Sequence, residues 1–453
     1  MTRFLTIGIT LLACLAIAAC GGGAGRSVQM EKLAPLPLVI LAHAATEDGC
    51  HLALMTTNNG KTFYVSVNGK AGRPFDAIAD SSLVLSRNGL HVAYAAKKGE
   101  RQFVVVDSLP GPEFDGIGGA PVFSPDGNRV AYKAKKGQKH LVVVDGVSGP
   151  EFDGIGGSPV FSPDGKRLAY AARTGGKQCV VVDGVRGQDF DGIVSAPVFS
   201  ADGKRLGYVA WKGEKQLAVI DGVRGPEFDG IESPIVFGGN GSRVAYVAAA
   251  GKKQLVVVDG KTGPAYDSIE SMPVFSADGK HLAYAAMAAH KAFVVADDVT
   301  GPEFGGMGKE EPVFSPDGKR LAYIAKRLDK RIVVVDGKAG PEFDGIGIGD
   351  PVFSPDGKRV AYVALKGQKE LVMVDGVPGV EYETIAGNSP VFSPDGKRVA
   401  YIANKKRRQF VVLDGKPGPE FAAVVGGPVF RSDGSLAYLG MRYSGLYLVR
   451  HRP

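Results

Sequence analysis

Residues 121–132 read Pro-Val-Phe-Ser-Pro-Asp-Gly-Asn-Arg-Val-Ala-Tyr, and this stretch returns along most of the chain. Successive copies of its Phe are 38 or 39 residues apart. Close copies begin at Pro159, Pro197, Pro273, Pro312, Pro351 and Pro390, and weaker copies begin at Leu83, Pro234 and Pro428. A period of this length is typical of propellers and solenoids, so the repeat has to be interpreted before any single element.

Each copy predicts a hairpin. Pro-Val-Phe-Ser is a short β-type run, and Ser124-Pro125-Asp126-Gly127 has the composition of a turn. Proline presets φ, aspartate bonds its own backbone, and glycine accepts a positive φ. One carboxylate per turn, with no Asp-x-Asp spacing, is not the pattern of a calcium loop. We therefore assign Asp126 and its counterparts to turn formation.

Four strands are expected in each period. In the period that starts at Pro121 they are Val122–Ser124, Val130–Ala134, His140–Val144 and Glu151–Asp153, with residues 154–157 as a loop to the next copy. Nearly continuous apolar runs such as residues 141–144 indicate strands that are covered on both faces. The expected fold is all-β, a β-propeller of four-stranded blades with about 10–11 repeats. One large ring and two consecutive smaller propellers both fit this repeat number.

The motif Phe-Ser-Pro-Asp-Gly-Lys-Arg-(Leu/Val)-Ala-Tyr resembles the repeat of TolB-type, WD40-like β-propellers. The resemblance covers nearly all of residues 38–453. It implies a propeller fold and no particular activity, because propellers carry many unrelated functions. TolB itself has a separate N-terminal α/β domain, for which this chain has no room.

The N-terminus predicts export. Arg3 precedes an apolar run from Phe4 to Ala19 that is too short for a spanning helix. Ile-Ala-Ala-Cys20 followed by glycines resembles the bacterial lipobox, which implies cleavage before Cys20 and diacylglyceryl attachment to its sulfur. We assign residues 1–19 to a signal peptide, 20–36 to a lipidated tether and 37–453 to the repeat array. The resemblance implies a cell-envelope lipoprotein, in the outer membrane and facing the periplasm; an ordinary cleaved signal peptide is the alternative.

The other cysteines predict no redox or metal chemistry. Cys14 leaves with the signal peptide. Cys50 and Cys179 fall at different strand positions of non-adjacent repeats, which disfavours a disulfide between them. We expect both to be small buried apolar side chains.

The tips between the second and third strands are basic, and the fold places them on one face. The net charge of the chain is +7, so that face is expected to attract an anionic surface, lipopolysaccharide, peptidoglycan or an acidic protein. Solvated lysines that discourage edge pairing are the alternative. Nucleic acid is not expected, since no aromatic platform interleaves the charges. The candidate interaction residues are Lys135, Lys136, Lys326, Arg327, Lys405, Lys406, Arg407 and Arg408.

A second candidate set lies on the loop after the fourth expected strand. Its aspartates either bind a cation or polar ligand at the mouth of the channel or act as local caps. Its members are Asp115, Asp153, Asp191, Asp229 and Asp344.

Catalysis is not expected. The sequence has no Gly-x-Ser-x-Gly elbow and no Ser-x-Asp-x-Gly-x-Thr-Trp box, and its seven histidines lack ligand spacing. We predict no metal and no cofactor. The first hypothesis is a non-catalytic, membrane-tethered propeller that binds envelope proteins. The alternative is a glycan or small-ligand binder that uses the central channel or the basic face, and a third is a hydrolase or lyase with a dispersed site.

Overall fold

A computed structural model describes residues 39–45, 52–57, 60–67, 70–239, 241–347, 349–386, 390–442 and 445–451. The predicted signal peptide, the tether, Cys20 and Cys50 lie outside these residues. Within the described ranges, no helix combines the length and the apolar character needed to cross a membrane. The one helical element there is the 3₁₀ turn Asp80–Ser82.

Eleven antiparallel sheets are formed by the described residues, and each sheet is built from consecutive strands. Three have four strands, seven have five and the last has three. In the five-stranded sheets the first strand is split into two short pieces that both pair with the second strand. This repeated sheet is the blade of a β-propeller, so the predicted all-β propeller fold is confirmed.

The chain divides into two compact units, one up to Gly225 and the other from Pro226. The first unit contains blades 1 to 4 and most of blade 5. Blade 1 comprises Val39–Ala45, Leu52–Thr57, Phe63–Val67 and Lys70–Ala71; blade 2 comprises Ala77–Ile78, Val84–Leu85, Val92–Lys98, Arg101–Val106 and Leu109–Pro110; blade 3 comprises Gly116–Phe123, Val130–Lys136, Lys139–Val144 and Val147–Ser148; blade 4 comprises Gly154–Phe161, Leu168–Thr174, Lys177–Val182 and Val185–Arg186; blade 5 comprises Gly192–Ile193, Val198–Phe199, Leu206–Lys212, Lys215–Ile220 and Val223–Phe228.

The second unit contains blades 6 to 11. Blade 6 comprises Gly230–Ile231, Val236–Gly238, Arg243–Ala250, Lys253–Val258 and Lys261–Tyr266; blade 7 comprises Ser268–Ile269, Val274–Phe275, Leu282–Ala288, Lys291–Ala296 and Val299–Thr300; blade 8 comprises Gly306–Met307, Val313–Phe314, Leu321–Arg327, Lys330–Val335 and Lys338–Phe343; blade 9 comprises Gly345–Ile346, Val352–Phe353, Val360–Lys366, Lys369–Val374 and Val377–Pro378; blade 10 comprises Thr384–Ile385, Val391–Phe392, Val399–Lys405, Arg408–Leu413 and Lys416–Pro417; blade 11 comprises Ala423–Phe430, Leu436–Arg442 and Gly445–His451.

Two details of the predicted repeat were wrong. The fourth strand of blade 3 is Val147–Ser148, and the expected strand Glu151–Asp153 contributes only an isolated bridge between Phe152 and His140. Residues 154–157 are the beginning of the strand Gly154–Phe161, not a loop. Glycines mask this strand in the sequence because they have low strand propensity, and the strand tolerates them through an irregular register between Gly156 and Val160.

Blades bury both faces of their third strand. In blade 3, Val142 packs with Phe152, Tyr170 and other residues of blade 4. Its neighbours Leu141 and Val143 point to the opposite face and pack in a cluster with residues of blade 2. Each of these three aliphatic residues is at most 1% exposed. Alternate residues of one strand therefore serve two neighbouring blades, which explains the continuous apolar run in the sequence.

The Ser-Pro-Asp-Gly turn is closed by its own side chains. The buried hydroxyl of Ser124 donates to a carboxylate oxygen of Asp126 at 2.5 Å and accepts from the backbone N–H of Arg129 at 2.9 Å. Gly165 of the next turn has φ +70, and a Cβ built there would lie 3.0 Å from Oδ1 of Asp126. Glycine is required at this position both by its backbone conformation and by the close approach of the preceding turn.

An arginine joins each blade to the next. Nε of Arg129 donates to Asp145 of its own blade at 2.9 Å, and Nη1 donates to the backbone oxygen of Lys166 in blade 4 at 2.8 Å. The same guanidinium lies 5.4 Å from the centre of the Phe161 ring. We call this arrangement the arginine staple. It recurs with Arg167, Arg243, Arg320, Arg359 and Arg398.

Candidate interaction surface

The basic tips are two-residue hairpin turns between the second and third strands of a blade. In blade 3, Lys136 pairs in register with Lys139, and Gly137 between them has φ 60. A two-residue turn of this kind requires a positive φ at its first position, which glycine supplies without strain. Tight turns on long strands hold the lysines out from the sheet, and Lys135 and Lys136 are exposed.

The loop aspartates cap these tips. Asp153 accepts a hydrogen bond from Nζ of Lys139 at 2.7 Å and a second one from the backbone N–H of Gly175, in the tip of the next blade, at 2.9 Å. These bonds hold the pKa of Asp153 below its ordinary value, the lysine bond being the largest cause, and they raise the pKa of Lys139. The aspartate thus neutralises one tip and orders the next one.

All five predicted loop aspartates take this capping position. Their acceptor contacts with the next tip are Asp115 with Gly137, Asp153 with Gly175, Asp191 with Gly213, Asp229 with Gly251 and Asp344 with Gly367. The structure therefore supports the local-cap interpretation rather than a ligand at the channel mouth. Within the described ranges, no group of three or more His, Cys, Asp or Glu side chains has the arrangement of a metal site.

The candidate interaction residues are divided by the same pairing. Lys136 contacts Glu151 at 3.4 Å, and Arg327 contacts Glu342 at 3.0 Å. The cations of these two tips are therefore balanced in part by carboxylates of their own blades, and Lys326 is only partly exposed. Surface pairs of this kind leave a weak residual field.

The tip at residues 405–408 differs from the others. Lys405, Lys406, Arg407 and Arg408 are all exposed, and the described part of the chain shows no ion pair to any of them. Arg408 stands where Lys139 stands in blade 3, but the residue 14 positions later is Ala422, where blade 3 has Asp153. The cap carboxylate is missing for this tip, so four cations remain unbalanced. We call residues 405–408 the cationic tip.

The backbone of the cationic tip is strained. Lys406 has φ 49 and Arg407 has φ 60, whereas the corresponding first position in blade 3 is a glycine. A non-glycine residue in the left-handed region costs about 1 kcal/mol or more. Side-chain oxygens of Glu383 compensate in part by accepting the backbone N–H of Lys406 at 3.1 Å. Strain kept at two cationic residues is typical of a surface whose side chains are used.

Sequence reasoning missed the pairing that selects this tip. The signal was present, since the tip cation and its cap are separated by 14 residues in one blade after another. The buried thiol of Cys179 agrees with the sequence prediction: it is free and 1% exposed, and burial raises its pKa.

Comparisons with known proteins leave the family open. No protein-family model matches the chain. A search of curated proteins also found no match.

Among solved structures, the chain is similar to several proteins at low scores. The propeller domain of the Trilobed protease from Pyrococcus furiosus has 16% identity and a TM-score of 0.29, over 67% of this chain and 94% of that one. The GH74 enzyme of Niastella koreensis has 11% identity and a TM-score of 0.29, over 91% and 83%. TolB from Acinetobacter baumannii has 16% identity and a TM-score of 0.23, over 64% and 75%. The fold assignment rests on the strand order, not on these scores.

Proposed function

We propose that this protein is a non-catalytic scaffold of the bacterial cell envelope, tethered by lipid on Cys20, which binds an acidic surface of another envelope protein through the cationic tip. One observation carries the proposal: four exposed cations stand together at residues 405–408, and the cap carboxylate found in other blades is replaced by Ala422. The hairpin displays them in a set geometry, because Lys405 pairs in register with Arg408. A positive patch on a stiff support attracts and orients an acidic partner.

The glycan or small-ligand alternative loses its main support. It relied on loop aspartates that were free to bind, and these accept hydrogen bonds from the tips instead. Basic tips in general are also a weaker argument, since Lys136 and Arg327 are paired.

The test uses a partner recovered after chemical crosslinking in envelope preparations and then purified. Its dissociation constant is measured for the wild type and for a variant with Lys405→Gln, Lys406→Asn, Arg407→Gly and Arg408→Gln. Asn and Gly are chosen at the two central positions because they accept a positive φ. Exposed charge pairs contribute about 0.4 kcal/mol each, so the loss of four predicts roughly tenfold weaker binding.

The matched control removes four cations from two other tips: Lys97→Gln, Lys98→Gln, Lys135→Gln and Lys136→Gln. Its net charge equals that of the tip variant. We expect a change of less than about twofold, and a decline of wild-type affinity with added salt. Equal losses in the two variants would show nonspecific attraction, and full affinity in the tip variant would refute the proposal.

A further inference from the structure

A cleft of about 370 Å³ lies between blades 2 and 3. One wall comes from blade 2, with His91, Val104 and Asp107, and the other comes from blade 3, with Phe123 and Tyr132. It lies within the first unit and is separate from the cationic tip.

The cleft exists where an arginine staple is missing. Position 91 corresponds to Arg129 of blade 3 and holds a histidine, whose shorter side chain bonds Asp107 through Nδ1 at 2.6 Å. Its ring centre is 6.4 Å from that of Phe123, in a tilted arrangement. In the next pair of blades, the guanidinium of Arg129 fills the equivalent space over the ring of Phe161.

Without the guanidinium, groups that it would bind are left open to the cleft. Arg129 donates to the backbone oxygens of Gly165 and Lys166. The matching residues one blade earlier are Gly127 and Asn128, which line the cleft. No side-chain donor to either of their carbonyl oxygens occurs among the described contacts. The cleft therefore presents two acceptors, an aromatic face and the carboxylate of Asp107.

A buried hydroxyl also faces this cleft without a partner. Tyr132 is 2% exposed, and its hydroxyl has no hydrogen-bond partner within the described residues. An unsatisfied buried hydroxyl costs about 1–3 kcal/mol unless something in the site bonds to it. A tyrosine hydroxyl both donates and accepts, so it suits a ligand with a polar group at this end.

We propose that the cleft binds a small organic cation with N–H donors, a guanidinium or a primary alkylammonium, in the place that an arginine side chain occupies between other blades. The N–H groups donate to the carbonyl oxygens of Gly127 and Asn128, and the cation lies over Phe123. Asp107 supplies the opposite charge when His91 is neutral. The geometry is that of a cation–π contact combined with charge-assisted hydrogen bonds.

The second unit repeats the combination. His281 takes the arginine position of blade 7, bonds Asp297 at 2.6 Å and lies 6.3 Å from the ring centre of Phe314. The hydroxyl of Tyr323 in blade 8 is buried without a described partner, like that of Tyr132. The two unpartnered tyrosine hydroxyls of the described residues thus follow the two blades in which histidine replaces arginine. We assign the same ligand class to this second position.

The experiment is saturation-transfer NMR with ethylguanidinium and the full chain. The comparison cation is tetramethylammonium, which has the same charge and no N–H donor. We expect a saturable signal for ethylguanidinium and roughly tenfold weaker binding of tetramethylammonium. Equal binding of the two cations would overturn the proposal, because no hydrogen-bond donor would then be needed.

Variants locate the binding. His91→Arg and His281→Arg supply the side chain used in the other blades, so we expect the signal to fall by about half in each and to vanish in the double variant. An undiminished signal in the double variant would refute the assignment. Arg167→His is the converse: it empties a filled cleft and should increase the signal. Thermal midpoints at or above the wild-type value would show that the arginine variants fold.

Discussion

The guanidinium of Arg129 lies 5.4 Å from the centre of the Phe161 ring, and these two residues belong to successive blades. The same guanidinium bonds Asp145 of its own blade and two backbone oxygens of the next turn. One side chain therefore fixes the position of a turn in its neighbour. Repeat proteins derive their stability from such nearest-neighbour contacts.

Replacement of Arg129 by alanine should loosen this junction. The variant loses a half-exposed ion pair, the bonds to backbone oxygens and the cation–π contact, together worth about 1–2 kcal/mol. We expect the thermal midpoint to fall by about 1–3 °C, measured by circular dichroism. Lys166→Ala is the control, because that side chain is 82% exposed and its backbone oxygen is retained. An unchanged midpoint in Arg129→Ala would contradict the staple.

Introduction of the missing cap should silence the cationic tip. Ala422→Asp places a carboxylate where Asp153 stands in blade 3, within reach of Arg408. We expect stability to rise by about 0.5 kcal/mol and the affinity for the acidic partner to fall severalfold. Both are measured on the purified chain, by thermal melting and by titration.

The control for that change is Gly305→Asp, at the other copy that lacks the aspartate. It lies 14 residues after Lys291, and a Cβ at residue 305 meets nothing closer than 3.7 Å. The same gain in stability is expected without loss of affinity. If the two variants weakened the partner equally, the cationic tip would not be the site.

The turn aspartates predict a loss of stability in acid. The hydroxyl of Ser276, followed by backbone and side-chain bonds from Lys280, lowers the pKa of Asp278 from 3.8 to about 2. A lowered pKa in the folded state gives stability that is complete above pH 3.8 and is lost as the pH falls toward 2. Serine hydroxyls lower the pKa of the turn aspartates Asp126, Asp164, Asp202, Asp317, Asp356 and Asp395 in the same way.

Asp278→Asn isolates this contribution. The wild type should melt above the variant at pH 6, and the difference should shrink as the pH is lowered to 2. Thermal midpoints across that range provide the measurement. Asp329→Asn is the control, since the described contacts of Asp329 include no serine hydroxyl. A difference that stayed constant with pH would disprove the assigned cause.

The proposed anchor depends on one sulfur. Cys20→Ser should move the chain from the membrane fraction to the supernatant after cell breakage, because buried acyl chains contribute about 0.8 kcal/mol per methylene. Fractionation followed by immunoblotting measures the distribution. Cys50→Ser is expected to remain in the membrane fraction, and a Cys20→Ser chain that stayed there would exclude the anchor.

Local chemistry was predictable where it acts over a few residues. Asp126 and Gly127 announce their turn because one bonds nearby backbone and the other accepts a positive φ. The short strand Val147–Ser148 was missed, since two residues carry no alternation and the Gly-Pro pair beyond them suggested a turn. Glycines at 154 and 156 concealed a strand for a similar reason.

From the amino acids alone follow the repeat, the antiparallel hairpins and the all-β blades, because turn chemistry and apolar runs act within one period. The stacking of blades decided the rest. Contacts such as Arg129 with Lys166, or Asp153 with Gly175, join residues 22 to 37 positions apart. Their partners are set by how one twisted sheet lies on the next. Which cations stay unpaired, and which cleft stays open beside His91, therefore depend on neighbouring blades and not on the local motif.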